Sequence, residues 1–180
     1  MSDHDAFGQA RALTVLAPVQ PARASALAAA LDELEGGAVS PLARVAGTHF
    51  ARWVVIDRLI HQGPPQKRDS FKAPRLLFTS NYDGPLERYL ETLRTGLGAD
   101  GDRLFGHCAD YPGSESAEAW TAWLRARTVS SSLFFAAYGE RTVAEVRTQL
   151  AARERLIAFA LEAQGLDPAA LQARFEAVFA

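Results

Sequence analysis

The chain has 180 residues, of which 48% are hydrophobic and 22% are charged, and its formal net charge is −2. This composition is typical of a globular protein with a sizeable core. It argues against a nucleic-acid-binding protein and against binding to an acidic membrane surface, because both need a basic footprint. The only local cluster of basic residues, in the segment 66–69, is expected to be a solvated loop.

The single cysteine, Cys108, cannot form an internal disulfide, and no pair of cysteines is spaced for zinc. We therefore expect a reducing compartment and no metal site. The N-terminal residues are polar and acidic, unlike a signal peptide, and the longest apolar runs, such as 133–138, are too short to cross a bilayer. These features predict a cytoplasmic protein without a membrane partner.

The first half of the chain alternates strand and helix patterns. Residues 1–10 are polar and are expected to be disordered. Residues 11–20 have a β-type pattern. The alanine- and leucine-rich segment 22–37 predicts a helix that stops at its two final glycines. Segments 48–57 and 75–82 are rich in β-branched and aromatic residues, which predicts two strands paired as a hairpin with a long connection.

The second half is more helical. An apolar stripe predicts a helix over 83–98. The irregular segment 99–128 has patterns for two short helices, and 129–139 predicts a fourth strand. A capping-box spacing opens a long helix over 142–165, and a last helix is predicted over 167–180.

The resulting order has a core of β-α-β-β-α-β, which is the split βαβ or ferredoxin-like arrangement of an α+β protein. We expect one such domain over 11–164, with the helical insertion 99–128 before the last strand. Residues 165–180 form a C-terminal helical extension in this interpretation.

Strand alternation makes both faces of the predicted sheet apolar. In the strand 48–57, Phe50, Arg52 and Val54 share one face, and His49 and Trp53 lie on the other. The two helices of a ferredoxin-like unit cover only one face of the sheet. The insertion, the C-terminal helices or another copy must cover the second face, and we expect another copy, which predicts a homodimer.

The element order and the strands "HFARWVVID" and "RLLFTSNYDG" resemble the dimeric α+β barrel superfamily, over residues 11–98 and 129–164. That group includes small monooxygenases, stress-responsive barrel proteins, chlorite dismutases and dye-decolourising peroxidases. The resemblance implies that the sheet packs on a second sheet, with a cavity between sheets or between sheet and helices. It does not imply one activity, because members do unrelated chemistry.

The segment "SNYDG" partly matches the G-x-x-D-G motif of dye-decolourising peroxidases, whose aspartate works at a haem. Asp83 and Gly84 match, whereas Ser80 replaces the first glycine. A structural interpretation is simpler, since Asp83 can end the strand and cap the following helix. The chain also has one ferredoxin-like unit, whereas such peroxidases resemble two.

Three other groups of residues are candidates for chemistry. Arg52 needs a carboxylate such as Asp83 if it is buried, or it anchors an anion in a cavity. His107 could ligate haem iron, and Cys108 beside it could be a nucleophile if its pKa were lowered. Trp120 and Trp123 share a helix face and form either core or a docking surface. In each case the structural interpretation is favoured.

Three functions remain open. The first is a small-molecule-binding protein of the dimeric barrel type. The second is a haem-linked or cofactor-free oxidoreductase resembling the monooxygenases, whose haem version requires a ligand among His49, His61 and His107. The third is a protein-interaction module. The predicted ligand-binding residues are Phe50, Arg52, Phe78, Asn81, Tyr82, Asp83, His107 and Phe135.

Overall fold

A computed structural model describes residues 3–35, 37, 39–65, 67 and 71–179. Apart from Lys67, the basic segment 66–69 lies outside the described residues. The chain divides into two compact units, Met1–Thr142 and Val143–Ala180. The boundary therefore precedes the long helix that the sequence analysis assigned to the main domain.

The first unit contains a four-stranded antiparallel sheet in the order β1-β2-β4-β3. The central strands β2 and β4 pair along nine positions, from Ala10 opposite Asp83 to Pro18 opposite Arg75. The strand β3 pairs with the other side of β4. The strands are β1 (Ala6–Phe7), β2 (Ala10–Pro18), β3 (Thr48–Ile56) and β4 (Arg75–Asp83). The last three of these agree with the strands predicted from the sequence.

Four helices of the first unit cover one face of the sheet. In β4, alternate side chains are buried, among them Leu76, Phe78 and Tyr82. They join one hydrophobic core with residues of all four helices. The helices are α1 (Ala24–Glu35), α2 (Leu86–Leu97), α3 (Ala99–Phe105) and α4 (Ala117–Arg125).

The insertion packs on the helix-covered face of the sheet. Phe105 of α3 lies against Phe78 with ring centroids 6.1 Å apart, and Trp120 and Leu124 of α4 are buried in the same core. The insertion therefore enlarges the existing core. It does not cover the second face of the sheet, which was one of the possibilities left open by the sequence.

The predicted fourth strand is wrong for most of its length. Backbone hydrogen bonds from Leu16 N to Arg127 O (2.9 Å) and from Val129 N to Thr14 O (2.8 Å) align only 127–129 with β2. Beyond this point, β1 pairs with the first residues of β2 and occupies the same edge. The segment 130–139 is thereby kept from extending the sheet. Among the described residues, the fold is therefore α+β and its sheet is antiparallel. The predicted last strand is not part of that sheet.

The N-terminal segment is structured from Asp3, although we expected residues 1–10 to be disordered. Residues 1 and 2 lie outside the described residues. Asp5 is 3% exposed, and its carboxylate accepts hydrogen bonds from Ser131 N (2.8 Å) and Ser130 Oγ (2.9 Å). Phe7 adds an edge-to-face contact with Phe135, with ring centroids 5.0 Å apart. The N-terminal segment thus holds residues 130–135 beside the sheet.

Two glycines allow this close approach. Gly8 has φ of +59°, and a Cβ there would collide with the carbonyl oxygen of Gly139. A Cβ at Gly139 would in turn collide with Phe7. Only glycine avoids both collisions, because it lacks a Cβ and adopts positive φ without strain.

The second unit consists of the helices α5 (Val143–Glu162) and α6 (Pro168–Phe179). Asp167 caps α6, with its carboxylate accepting hydrogen bonds from the backbone N–H groups of Ala169 and Ala170. Phe159 of α5 packs against Phe175 and Phe179 of α6. No helix among the described residues is long and apolar enough to cross a membrane.

Asp5 predicts a pH-dependent contribution to stability. Burial raises the pKa of Asp5, but hydrogen bonds from Ser131 and Ser130 outweigh burial and bring its pKa below the ordinary value. A lowered pKa in the folded state stabilises the fold above the unfolded-state pKa, and this contribution is lost as pH falls through the folded-state pKa. We expect Asp5→Asn to lower the free energy of unfolding by about 1–3 kcal/mol at neutral pH.

The measurement is urea unfolding of both proteins at neutral pH and in acid, where the gap between them should shrink as the carboxyl is protonated. Asp57→Asn is the matched control, because Asp57 is exposed and should change stability by no more than about 0.5 kcal/mol at either pH. An equal loss at both pH values would contradict a role for the Asp5 charge.

Candidate functional site

The predicted site residues fall into separate parts of the first unit. Phe50, Arg52 and Asn81 lie on the sheet face opposite the helices, which we call the open face. Phe135 lies beside them. Phe78 and Tyr82 lie on the helix-covered face instead, and both are fully buried. Residues of even and odd number in β4 point to opposite faces, so Phe78 and Tyr82 cannot share a cavity with Asn81.

Tyr82 has a packing role in the core. Its ring stacks on Tyr89 with centroids 4.0 Å apart, and burial raises the pKa of Tyr82 to about 12. The neighbouring Ser80, the mismatch in the peroxidase-like segment, is buried and shares a short hydrogen bond with the Tyr89 hydroxyl. Ser80 and Tyr82 of "SNYDG" are therefore buried residues with a structural role.

His107 and Cys108 lie at the end of the insertion's first helix, away from the open face. Burial lowers the pKa of His107, and the positive charges of Arg23 and Arg103 add to this effect. Burial raises the pKa of Cys108 to about 12. The thiol is therefore protonated at neutral pH and inaccessible, which agrees with the structural interpretation favoured from the sequence and not with a nucleophile.

Trp120 and Trp123 are core residues, 1% and 6% exposed. The indole N–H of Trp123 donates to the carbonyl oxygen of Ala109 (3.1 Å), and the Arg127 guanidinium lies 4.4 Å from the Trp123 ring centroid. Because both indoles are enclosed, they do not form the docking surface considered from the sequence.

The open face carries a cleft of about 310 Å³, which we call the open-face cleft. It lies between the sheet and the segment that the N-terminus holds in place. Most of its wall is apolar. The lining residues are Ala10, His49, Phe50, Asn81, Phe135, Ala136, Ala137 and Tyr138.

A bulge in β3 determines the position of His49. Thr48 pairs with Tyr82 and Phe50 pairs with Asn81, so His49 is the extra residue between two consecutive pairs. Regular alternation would have placed His49 on the face opposite Phe50 and Arg52. In the structure, His49 lines the same cleft as Phe50. Strand alternation does not predict this position, since no residue type in this segment signals a bulge.

His49 and Asp83 form a hydrogen-bonded pair beside the cleft. The Nε2 atom of His49 is 2.7 Å from Oδ1 of Asp83, and the two side chains are 14% and 16% exposed. The N-cap residue of α2 is Pro85, which offers no side-chain hydrogen bond, and Asp83 lies two residues before it. The following residue, Gly84, has φ of +81°. Glycine adopts this conformation without strain, so the backbone alone accounts for a glycine at this position of "SNYDG".

Arg52 does not pair with Asp83, which was a predicted partner. It is exposed, and its Nε donates to the Thr79 hydroxyl (3.3 Å). Among the described residues it has no carboxylate partner. It lines a second cleft, of about 350 Å³, which shares Phe50 and Asn81 with the open-face cleft. Arg52 therefore adds a positive charge next to the open-face cleft.

The three candidate haem ligands have different surroundings in the described structure. The Nε2 atom of His49 is engaged by Asp83. The Nδ1 atom of His107 is enclosed without a hydrogen-bond partner among the described residues. His61 lies on an exposed loop and lines neither the open-face cleft nor the groove between α1 and β3. The described residues also contain no group of three His, Cys, Asp or Glu side chains arranged to hold a metal ion.

Comparison of the chain with protein-family models, with curated proteins and with solved structures finds no match. The resemblance to the dimeric α+β barrel superfamily therefore stays a prediction. Function has to be inferred from the open-face cleft itself, where His49 and Asn81 lie among apolar walls and Asp83 pairs with His49.

Proposed function

We propose that the protein binds a small, largely apolar organic molecule in the open-face cleft. The observation that carries this proposal is the lining of the cleft, where apolar residues surround a few that carry polar groups, His49, Asn81 and Tyr138. Small-molecule sites are concave, mostly apolar and equipped with a few polar groups that orient the ligand. The cleft volume of about 310 Å³ suits a ligand of about one aromatic ring.

The exposure of the aromatic walls supports this assignment. Phe50 is 77% exposed and Phe135 is 69% exposed, although both belong to the compact first unit. Large apolar side chains grouped on a surface usually mark a binding or interaction site. Here the two rings flank a cleft, so a ligand ring would bury them.

We further propose that the first unit is ferredoxin-like and that two copies stack through their open faces, as in the dimeric α+β barrels. The alignment of 127–129 beside β2 supports the first part, because the last strand of a ferredoxin-like unit lies at this edge. Exposed Phe50 and Val54 support the second part, since stacked sheets bury such side chains. Stacking would also close the cleft over its ligand.

The binding proposal can be tested with one-ring aromatic fragments and amide chemical shifts of the full chain. We expect binding fragments to perturb Phe50, Asn81 and Phe135. Asn81→Ala and Phe135→Ala should each weaken binding about 5- to 30-fold, as expected for losses of about 1–2 kcal/mol. Leu133→Ala is the matched control, because Leu133 is 84% exposed and does not line the cleft.

Fragments that perturb only the separate groove of about 680 Å³ between α1 and β3 would move the binding site there. An absence of saturable perturbation across the fragment set would make the binding function wrong.

The dimer proposal predicts the effect of one charge on the open face. Val54 is 40% exposed and lies outside the open-face cleft. We expect Val54→Glu to raise the dimer dissociation constant by at least about tenfold, because a carboxylate would be buried between the sheets. Analytical ultracentrifugation over a range of concentrations measures this change.

Ile60→Glu is the control for the dimer test, since Ile60 is 81% exposed on the loop after β3 and should leave the mass unchanged. A wild-type mass near 19.5 kDa at every concentration would exclude the dimer.

A further inference from the structure

We propose that His49 accepts a proton from a weakly acidic hydroxyl group of the bound molecule, so that the cleft selects phenols and enols and holds them as anions. This inference rests on the binding function proposed above and names the ligand class of that site. In the step, the O–H bond of the ligand breaks, the proton goes to Nδ1 of His49, and the ligand oxygen keeps the electron pair.

The hydrogen bond to Asp83 determines which nitrogen of the neutral His49 can accept the proton. A carboxylate only accepts hydrogen bonds, so the Nε2 atom of His49, 2.7 Å from Asp83 Oδ1, carries hydrogen. In the neutral imidazole the lone pair then lies on Nδ1. Among the described residues, Nδ1 of His49 has no hydrogen-bond partner. The basic nitrogen is therefore available to a ligand.

Asp83 also stabilises the product of the proton transfer. When Nδ1 gains a proton, the imidazolium is in direct contact with a carboxylate that is 16% exposed. This arrangement of base and orienting carboxylate is the one that general-base catalysts use.

The remaining charged and titratable groups around the cleft favour an anionic ligand. Asn81 can donate a hydrogen bond through its side-chain amide, and Arg52 supplies a positive charge from the adjoining cleft. The Tyr138 side chain lines the cleft and is 76% exposed. Asp83 is the only carboxylate in contact with His49 among the described residues, and its charge is offset once the imidazole is protonated.

The chemistry of His49 limits the ligand class. Carboxylic acids are already ionised at neutral pH and have no proton to give, whereas aliphatic alcohols hold their proton too tightly for imidazole to remove it. Phenols and enols of acidity near that of imidazole lie between these limits. Their flat, apolar bodies also match the rings of Phe50 and Phe135 that flank the cleft.

The test uses p-nitrophenol, whose anion is yellow and whose neutral form is nearly colourless. The full chain is titrated with it at about one pH unit below the ionisation midpoint of the free phenol, where roughly a tenth is anionic. We expect saturable binding together with growth of the anion absorbance, which corresponds to a bound-state pKa of the phenol that is lower by about one unit or more. The anion fraction is measured at saturation, so that differences in affinity do not enter.

His49→Gln should abolish the extra anion absorbance of the saturated complex, and Asp83→Asn should reduce it, because a neutral amide stabilises an imidazolium less than a carboxylate does. His61→Gln is the matched control, since His61 lies on an exposed loop outside the cleft and its replacement should leave the anion fraction unchanged. p-Nitroanisole, which has the same ring but no acidic proton, reports binding alone.

The two proposals fail in different ways. If neither p-nitroanisole nor p-nitrophenol binds, binding in the cleft is wrong and the proton transfer falls with it. If both ligands perturb Phe50 and Asn81 but the bound phenol stays neutral, only the proton transfer is wrong. An anion band that persists in His49→Gln would likewise overturn the role of His49 and leave the binding function standing.

Discussion

Burial of one face of the sheet against four helices is the constraint on which the other features of the first unit depend. The alternating side chains of β4 place Leu76, Phe78 and Tyr82 in this core and leave Thr79 and Asn81 on the opposite side. Because the insertion helices also pack on the covered face, they strengthen the core without closing the open face. Phe50 and Val54 on the open face therefore receive no cover from these four helices, and both side chains are exposed.

Competition for one edge of β2 shapes the candidate site. The short strand β1 pairs with the first residues of β2, and the segment after Val129 is directed away from the sheet. Asp5 then holds this segment through Ser130 and Ser131. A buried carboxylate that accepts two hydrogen bonds is satisfied in the fold, and loss of these partners would leave it unpaired. The outer wall of the open-face cleft thus depends on residues at the N-terminus.

The bulge at His49 joins the sheet to the chemistry of the cleft. An extra residue in an edge strand interrupts the alternation of side chains and can re-aim one of them. At this position it lets the imidazole reach Asp83 and line the cleft together with Phe50. The base, its carboxylate partner and the apolar wall thereby come from three separate segments of the chain.

The sequence by itself determined the local elements of this protein. Periodic patterns of apolar residues identified three of the four strands and all six α-helices of the described residues, because helix and strand periodicity are properties of neighbouring residues. They also identified an apolar second face on the sheet, with Phe50 and Arg52 on it. Only the tertiary structure decided that β1, rather than the predicted fourth strand, occupies the edge of β2. It also decided that His49 pairs with Asp83, and that Phe78, Tyr82 and His107 lie away from the cleft. These outcomes depend on contacts between residues far apart in the chain and on a bulge that strand alternation does not encode.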